Sequence, residues 1–217
     1  MKKKTLFFIL LLSLSNIAYA QTKKYGNDKD AELVVRSVVS NLSKNAYSSR
    51  FTLEYFNAND SSTMSKIGNV DIKGRFFCIE LEDTEIKFDG KTQWNYVASD
   101  NEVTITQPSE SDLRESNPMS MIEATLKSNR ISFNEKKQIN GYYVILCYPN
   151  SPKSVEYFKI TLYINAKTLL PKKIVINQRN GDKISMSFLD LRTTKYIPKR
   201  FVFNKAEYPN VNINDLR

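Results

Sequence analysis

Histidine is absent from this sequence of 217 residues, and cysteine and glycine are scarce, with two and six residues. Without histidine the chain lacks the commonest general base and the commonest metal ligand. No serine lies in a G-x-S-x-G elbow, and no glycine-rich phosphate loop follows an apolar run. The acidic residues that cluster in the sequence around residues 80–85 are typical of a solvated turn. We therefore expect a protein that is not an enzyme and that has no metal site or cofactor.

The two cysteines, Cys78 and Cys147, are far apart and lack metal-ligand spacing. Each lies inside an apolar, alternating stretch. A disulfide bond between them is permitted in an oxidising compartment, and two buried free thiols are the alternative. The sequence leaves both open.

Long apolar runs are also lacking, apart from one at the N-terminus. Three lysines precede the apolar residues 6–14, and Ala18-Tyr19-Ala20 has the small-x-small form of a cleavage site. We predict a cleaved signal peptide over residues 1–20 and a single exported domain over residues 21–217. The run is too short to span a bilayer comfortably, and no cysteine lies near the predicted cut.

The charge is moderately basic, with a formal net charge of +9 for the whole sequence. The lysines are spread along the chain and form no basic block, so this charge and the predicted export argue against nucleic acid as a partner. A solvated basic surface, with mild attraction to anionic membranes, is the better interpretation.

Alternating apolar and polar residues dominate the remaining sequence, and turn residues separate the runs. We count about eleven predicted strands: 47–56, 64–72, 75–81, 84–88, 92–97, 102–106, 131–138, 142–148, 157–165, 172–178 and 183–191. Residues 211–213 are a further candidate edge strand. Asp89-Gly90 and Asn140-Gly141 are each predicted to form a type I′ hairpin turn. The pattern is typical of a mainly β sandwich or barrel.

Two helices accompany the strands. The first is predicted from an N-cap at Asn27 or Asp28 to Asn45, with Leu33, Val34, Val38 and Leu42 on its apolar stripe. The second is predicted from Asn117 to Lys127, with Pro118 at its first helical position. Its apolar set is Met119, Met121, Ile122 and Leu126. Methionine adapts to variable apolar shapes, so this helix is predicted either to be a lid over a curved apolar sheet or to be ordinary core.

Several of these segments together resemble one family. Asp89-Gly90-Lys91-Thr92-Gln93-Trp94 precedes the Asn117-Pro118 helix start, and the chain ends in Phe201-Val202-Phe203 followed by residues 208–215, YPNVNIND. This order resembles the periplasmic outer-membrane lipoprotein carrier proteins, the LolA family. The resemblance implies an incomplete antiparallel β-barrel whose apolar concave face is covered by short helices.

The resemblance also implies the site. The acyl-chain cavity would be lined by Phe51, Leu53, Phe77, Ile79, Ile86, Phe88, Trp94, Tyr96, Val103 and Ile105. The lid would be Met119, Met121, Ile122 and Leu126. Many members hold the lid closed with an arginine in a Lys-Arg-Pro corner, but here the corner is Lys73-Gly74-Arg75. Arg75 could serve as the latch if Gly74 forms a bulge. Otherwise closure would depend on apolar contacts alone.

By the same resemblance the protein would be a monomeric periplasmic carrier without a cofactor. Its partners would be acylated lipoproteins as cargo, an inner-membrane lipoprotein-releasing transporter and an acceptor at the outer membrane. The alternative is a sensor or assembly factor of the same fold, which binds lipid or an envelope protein in order to regulate.

Overall fold

A computed structural model describes residues 28–109, 112–113 and 118–217. The predicted signal peptide and Asn117 lie outside the described residues. The helices are α1 (Lys29–Lys44) and α2 (Pro118–Ser128). The strands are β1 (Ala46–Phe56), β2 (Thr63–Lys73), β3 (Phe76–Leu81), β4 (Thr84–Phe88), β5 (Gln93–Val97), β6 (Glu102–Thr106), β7 (Asn129–Ile139), β8 (Tyr142–Pro149), β9 (Tyr157–Asn165), β10 (Pro171–Gln178), β11 (Lys183–Phe188), β12 (Arg192–Thr194) and β13 (Asn212–Asp215). None of the described helices is long and apolar enough to cross a membrane.

The described strands form one open sheet. Its order is β13-β6-β5-β4-β3-β2-β1-β11-β10-β9-β8-β7, and β12 pairs with β1 beside this path. Every pair is antiparallel except β13 with β6, which is parallel. The two end strands, β7 and β13, do not pair with each other, so the sheet is an incomplete barrel, as predicted. The sequence analysis missed β12, while β13 corresponds to the predicted edge strand.

Asp28 is the N-cap of helix α1, and its carboxylate accepts hydrogen bonds from the amides of Asp30 and Ala31 at 3.0 and 3.2 Å. This cap satisfies amides that have no partner inside the helix. The buried stripe is Ala31, Val35, Val38 and Leu42. The predicted stripe was therefore wrong at Leu33, which is 61% exposed, and Val34 only packs at its edge. In this valine-rich helix two overlapping stripes were available, and packing against the sheet and α2 selected the one that starts at Ala31.

The two predicted hairpin turns have different outcomes. Asn140 and Gly141 both have positive φ, 50° and 80°, and join β7 to β8 as predicted. Phe88 pairs with Gln93, however, so the connection at Asp89 has four residues and is not a two-residue turn. The Asp89 carboxylate accepts hydrogen bonds from the amides of Lys91 and Thr92 at 2.9 and 2.7 Å, which favours the wider loop.

The sheet has an inner and an outer face. The inner face, together with α1 and α2, encloses the main core, which includes Phe51, Phe77, Phe88, Ile145 and Phe188. On the outer face Val103 and Ile105 pack with Val211 of the C-terminal segment in a second, smaller cluster. That segment crosses the outer face through the 3₁₀ helices Pro198–Phe201 and Lys205–Glu207.

Candidate functional site

The inner face contains an apolar cavity of about 310 Å³. All of the described side chains that line it are apolar: Phe51, Leu53, Ile79, Leu81, Ile86, Met121, Ile174, Ile176, Ile184 and Met186. Such a surface suits a hydrocarbon chain.

Cross-strand pairing brings these residues together. Leu53 pairs with Met186, which in turn pairs with Ile174, and Ile184 pairs with Ile176. On the other side Ile79 pairs with Ile86. Each of these strands contributes one or two positions to the cavity wall, and where there are two they are alternate residues, which share a face.

Strand β2 runs between these two groups and contributes no lining side chain. Its residue opposite Phe51 is Gly68. A Cβ atom at Gly68 would lie 2.9 Å from the Phe51 ring and would clash with the Glu80 carbonyl oxygen. Glycine therefore lets the Phe51 ring lie close over β2 at the cavity wall.

Helix α2 covers part of the cavity. Met121 lines it, Ile122 is buried in the main core, and Leu126 packs against that core. The side chain of Met119 lies outside the described residues. Thr125 is fully buried, and its hydroxyl donates to the Ile122 carbonyl at 2.7 Å. Helix α2 thus contributes Met121 to the cavity lining and Ile122 and Leu126 to the core, and its role as a lid stays a prediction.

Of the ten predicted lining residues, the structure brings four together at the cavity: Phe51, Leu53, Ile79 and Ile86. Phe77 and Phe88 are on the same face but are packed against each other, with ring centroids 5.5 Å apart, and are fully buried. They are part of the core beside the cavity. The rings are too well packed on all sides to present a surface to a ligand.

The other four, Trp94, Tyr96, Val103 and Ile105, were placed on the wrong face. Trp94 pairs with Lys87 and Tyr96 with Glu85, whereas Ile86 pairs with Asn95. Paired residues share a face, so these two aromatic residues lie opposite the cavity. Val103 pairs with Tyr96 and Ile105 pairs with Trp94, so both lie on the same outer face. Alternation within β5 and β6 was predicted correctly, but it does not reveal which face of the sheet each set joins.

The sequence analysis missed five lining residues: Leu81, Ile174, Ile176, Ile184 and Met186. Four of them are on β10 and β11, whose period-two pattern was recognised. The pairing of β11 with β1, and of β10 with β11, brings these residues to the second side of the cavity.

The chain is similar to one protein family and to several solved structures. The family model described as outer membrane lipoprotein carrier protein LolA matches residues 30–182. The chain belongs to the LolA family. No curated protein sequence matches it significantly.

Solved structures similar to this LolA-family chain have low sequence identity. An uncharacterized conserved protein from Thermus thermophilus has a TM-score of 0.59 at 11% identity, covering 86% of this chain and 99% of its own. A LolA superfamily protein from Nitrosomonas europaea has a TM-score of 0.46 at 13% identity, covering 80% and 97%. The MucA/MucB complex of Pseudomonas aeruginosa has a TM-score of 0.42 at 14% identity, covering 81% and 62%. At this identity the Thermus structure supports the fold alone.

The LolA-family match ends before β11, so it excludes Ile184, Met186 and the C-terminal segment. That segment is held to the outer face by a network of ion pairs. Arg200 contacts Asp71 and Glu80, each at 2.6 Å. Lys87, whose side chain is 6% exposed, lies 3.1 Å from Glu85, and the Tyr208 hydroxyl donates to the same carboxylate.

Cys78, Glu80 and Glu85 lie within this network, close enough to share a metal ion. Each carboxylate is already paired with a cation of the chain, Arg200 or Lys87. Burial raises the pKa of the Cys78 thiol to about 12, and a protonated thiol is a poor ligand. The cluster therefore fits a role in attaching the C-terminal segment better than a metal site.

The two cysteines are both free and buried. Cys78 lies on the outer face, because it pairs with Lys87, whereas Cys147 is in the core of the inner face. Burial also raises the pKa of Cys147 to about 12. Of the two alternatives, the structure has the pair of buried thiols.

Gly74 and Arg75 are the two central residues of the β2–β3 turn, and Gly74 has a φ of +56°. The pairing of β2 with β3 has no register shift, so the bulge that we considered does not form. The turn contacts the end of α1, where the Gly74 amide donates to the Leu42 carbonyl at 3.0 Å. Arg75 is exposed at this turn. Its role as a latch stays a prediction.

Proposed function

We propose that this protein binds the acyl chains of lipoproteins in its inner-face cavity and carries them across the periplasm. The observation that carries the proposal is the wholly apolar lining of the cavity, partly covered by Met121 of α2. Membership of the LolA family and the predicted signal peptide support this cargo and this compartment. The inner-membrane releasing transporter and the outer-membrane acceptor are part of the same proposal.

The energetics favour a carrier. An acyl chain exposed to water costs about 0.8 kcal/mol for each methylene that could be buried. A cavity with no hydrogen-bonding groups supplies that burial without fixing one ligand orientation. Exchange between proteins then needs no chemical step, because release requires only that another apolar site compete for the same chain.

The size of the cavity indicates that it opens for its cargo. Apolar cavities of about 150 Å³ bind benzene, so about 310 Å³ corresponds to on the order of a dozen carbon atoms. A complete long acyl chain is larger. We therefore expect Met121 and the rest of α2 to move away from the sheet when cargo binds.

The test is binding of hexadecanoic acid by variants measured by calorimetry. Met186→Trp fills the cavity from β11 and is expected to weaken binding at least ten-fold. Met64→Trp is the matched control, since Met64 is 64% exposed and is not among the cavity residues. Hexadecanoic acid that binds both variants as it binds the wild type, or that does not bind the wild type, would contradict the proposal. The fluorescence of Trp94 is unsuitable for measuring binding in the cavity, because Trp94 lies on the outer face.

A further inference from the structure

Strand β2 extends beyond its neighbour β3, while β1 on its other side stays paired with β11 as far as Phe56. Strand β2 pairs with β1 from Thr63 to Ile72, but it pairs with β3 only from Asn69 onward. Among the described residues, no strand pairs with the second side of residues 63–67. These five residues are all exposed, and they include Met64 at 64% and Ile67 at 65%. The segment is an open strand edge, which we call the β2 edge.

The backbone groups that point outward from the β2 edge can be identified. The two-residue turn at Gly74 makes Lys73 and Phe76 a hydrogen-bonded pair, and such pairs alternate along an antiparallel ladder. Odd-numbered residues of β2 therefore point their N–H and C=O groups toward β3. On the N-terminal side of Asn69, where β3 no longer pairs, the odd-numbered residues Thr63, Ser65 and Ile67 therefore also direct these groups away from β1.

The two end strands of the sheet are protected against pairing. Strand β7 has Lys136 and Lys137 on its exposed half and a register irregularity between Phe133 and Gln138. Strand β13 has only four residues, of which two are asparagine and one is aspartate. Charges, bulges and short length are the devices that keep an edge from recruiting another strand. The β2 edge has a single charge, Lys66, and no bulge or proline.

The β2 edge also adjoins the cavity. Lys66 pairs with the lining residue Leu53, and Gly68 pairs with the lining residue Phe51. The hairpin is held in place on its other side by Asp182, which accepts hydrogen bonds from the Tyr55 hydroxyl at 2.6 Å and from the Ala58 amide at 2.9 Å. A ligand leaving the cavity across β2 meets an extended backbone whose outward N–H and C=O groups pair with no other described strand.

We propose that the β2 edge binds, as an added strand, the polypeptide segment that directly follows the acylated residue of the cargo. The proposal rests on the proposed function, because it takes the cavity as the site of the acyl chain. An acyl chain in the cavity fixes the attached peptide within a few residues of this edge. Backbone pairing suits such a peptide because it does not depend on the sequence of the added strand, so one edge can serve many cargoes. Two copies of this basic chain would repel each other, which disfavours self-pairing.

The experiment compares two ligands: hexadecanoic acid and an extended hexapeptide with a hexadecanoyl group at its N-terminal residue. We expect the wild-type protein to bind the acylated peptide about ten-fold more tightly, which corresponds to about 1.4 kcal/mol from two or three backbone hydrogen bonds. Ser65→Pro removes an outward N–H while leaving the β1–β2 ladder intact, and it is expected to abolish this advantage. Ser65→Ala, which keeps the N–H group, is the matched control.

A ligand-side control keeps the test valid if Ser65→Pro does not fold. The acylated peptide with alternate backbone nitrogens methylated is expected to bind the wild-type protein no more tightly than hexadecanoic acid does. Hydrogen exchange at Thr63, Ser65 and Ile67 is expected to slow with the acylated peptide and not with the acid.

Four outcomes are distinguishable. The ten-fold advantage and its loss in Ser65→Pro would support the β2 edge proposal. Equal binding of both ligands to the wild-type protein would overturn it and leave the cavity function intact. Failure of both ligands to bind would overturn both proposals. A wild-type dimer by analytical ultracentrifugation that becomes a monomer in Ser65→Pro would show that the edge binds a second copy instead.

Discussion

The inner and outer faces of the same strands have opposite kinds of packing. On the inner face, Ile79, Ile86 and Leu81 border a cavity and stay partly open to a ligand. On the outer face, Cys78, Glu80, Glu85 and Lys87 alternate with them and are covered by the chain's own C-terminal segment. The inner face is apolar and incompletely filled, whereas the outer face is closed by ion pairs, hydrogen bonds and stacked rings such as Phe203 and Tyr208, 4.4 Å apart.

The outer face thus contributes to stability, and the inner face has the space for the proposed binding. Directional ion pairs specify one arrangement of the C-terminal segment, because moving Arg200 away would leave the partly buried carboxylates of Asp71 and Glu80 without their cation. Apolar contacts on the inner face specify no single partner, which is what the proposed binding of acyl chains requires. The proposed carrier function needs both properties, and the sheet has them on opposite faces.

The largest expected effect contrasts core with cavity on the inner face. Phe88→Ala is expected to lower the free energy of unfolding by about 3–5 kcal/mol, because Phe88 is fully buried against Phe77. Leu53→Ala is expected to cost about 2 kcal/mol, at the low end for such a substitution, because its side chain already borders empty space. Urea denaturation measures both. Equal losses would mean that the cavity wall is as tightly packed as the core.

A smaller loss is expected on the outer face. Arg200→Leu leaves Asp71 and Glu80 without their cation and is expected to cost about 2 kcal/mol, less than for a fully buried pair because the Arg200 side chain is 37% exposed. Arg192→Leu is the control, since its side chain is 75% exposed and its one ion pair is 3.8 Å long. Affinity for hexadecanoic acid should stay within two-fold in both variants. Weaker acid binding by Arg200→Leu would show that the two faces are coupled.

Helix α2 is expected to open separately from the sheet. Amide hydrogens of α2 should exchange at least ten-fold faster than those of β8 and β9, since Met121 borders the cavity and Lys127 and Ser128 at the end of the helix are exposed. Hexadecanoic acid should change the exchange of α2 more than that of β8. If α2 and the central strands exchange together, the helix is core and not a lid.

The smallest expected effect is at Arg75. Because no bulge forms at Gly74, we expect closure of α2 to depend on apolar contacts, and Arg75→Leu should leave acyl affinity and transfer to an acceptor protein within two-fold of wild type. Lys91→Leu, a substitution at another exposed loop, controls for the lost charge. A latch would instead appear as tighter acyl binding or as impaired transfer by Arg75→Leu alone.

Local sequence patterns determined most of the elements of this protein. Period-two alternation predicted eleven of the strands, Asp28 predicted the start of α1, and Asn140-Gly141 predicted its hairpin. These features depend on neighbouring residues only. The order of segments that resembles the LolA family also anticipated the incomplete barrel.

Tertiary structure decided which surface each strand contributes to the site. Alternation tells which residues of a strand share a face, but the face that meets the cavity depends on the register across each connection. The connection after Phe88 places Asn95, and not Trp94, beside Ile86. A two-residue turn at Asp89-Gly90 would have paired Trp94 with Glu85 and put it on the same outer face, so the turn alone could have corrected this prediction. Pairing of β1 with β11 added Met186 and Ile184 from the distant end of the chain. That long-range pairing is set by the whole sheet, so no local stretch of sequence could specify it.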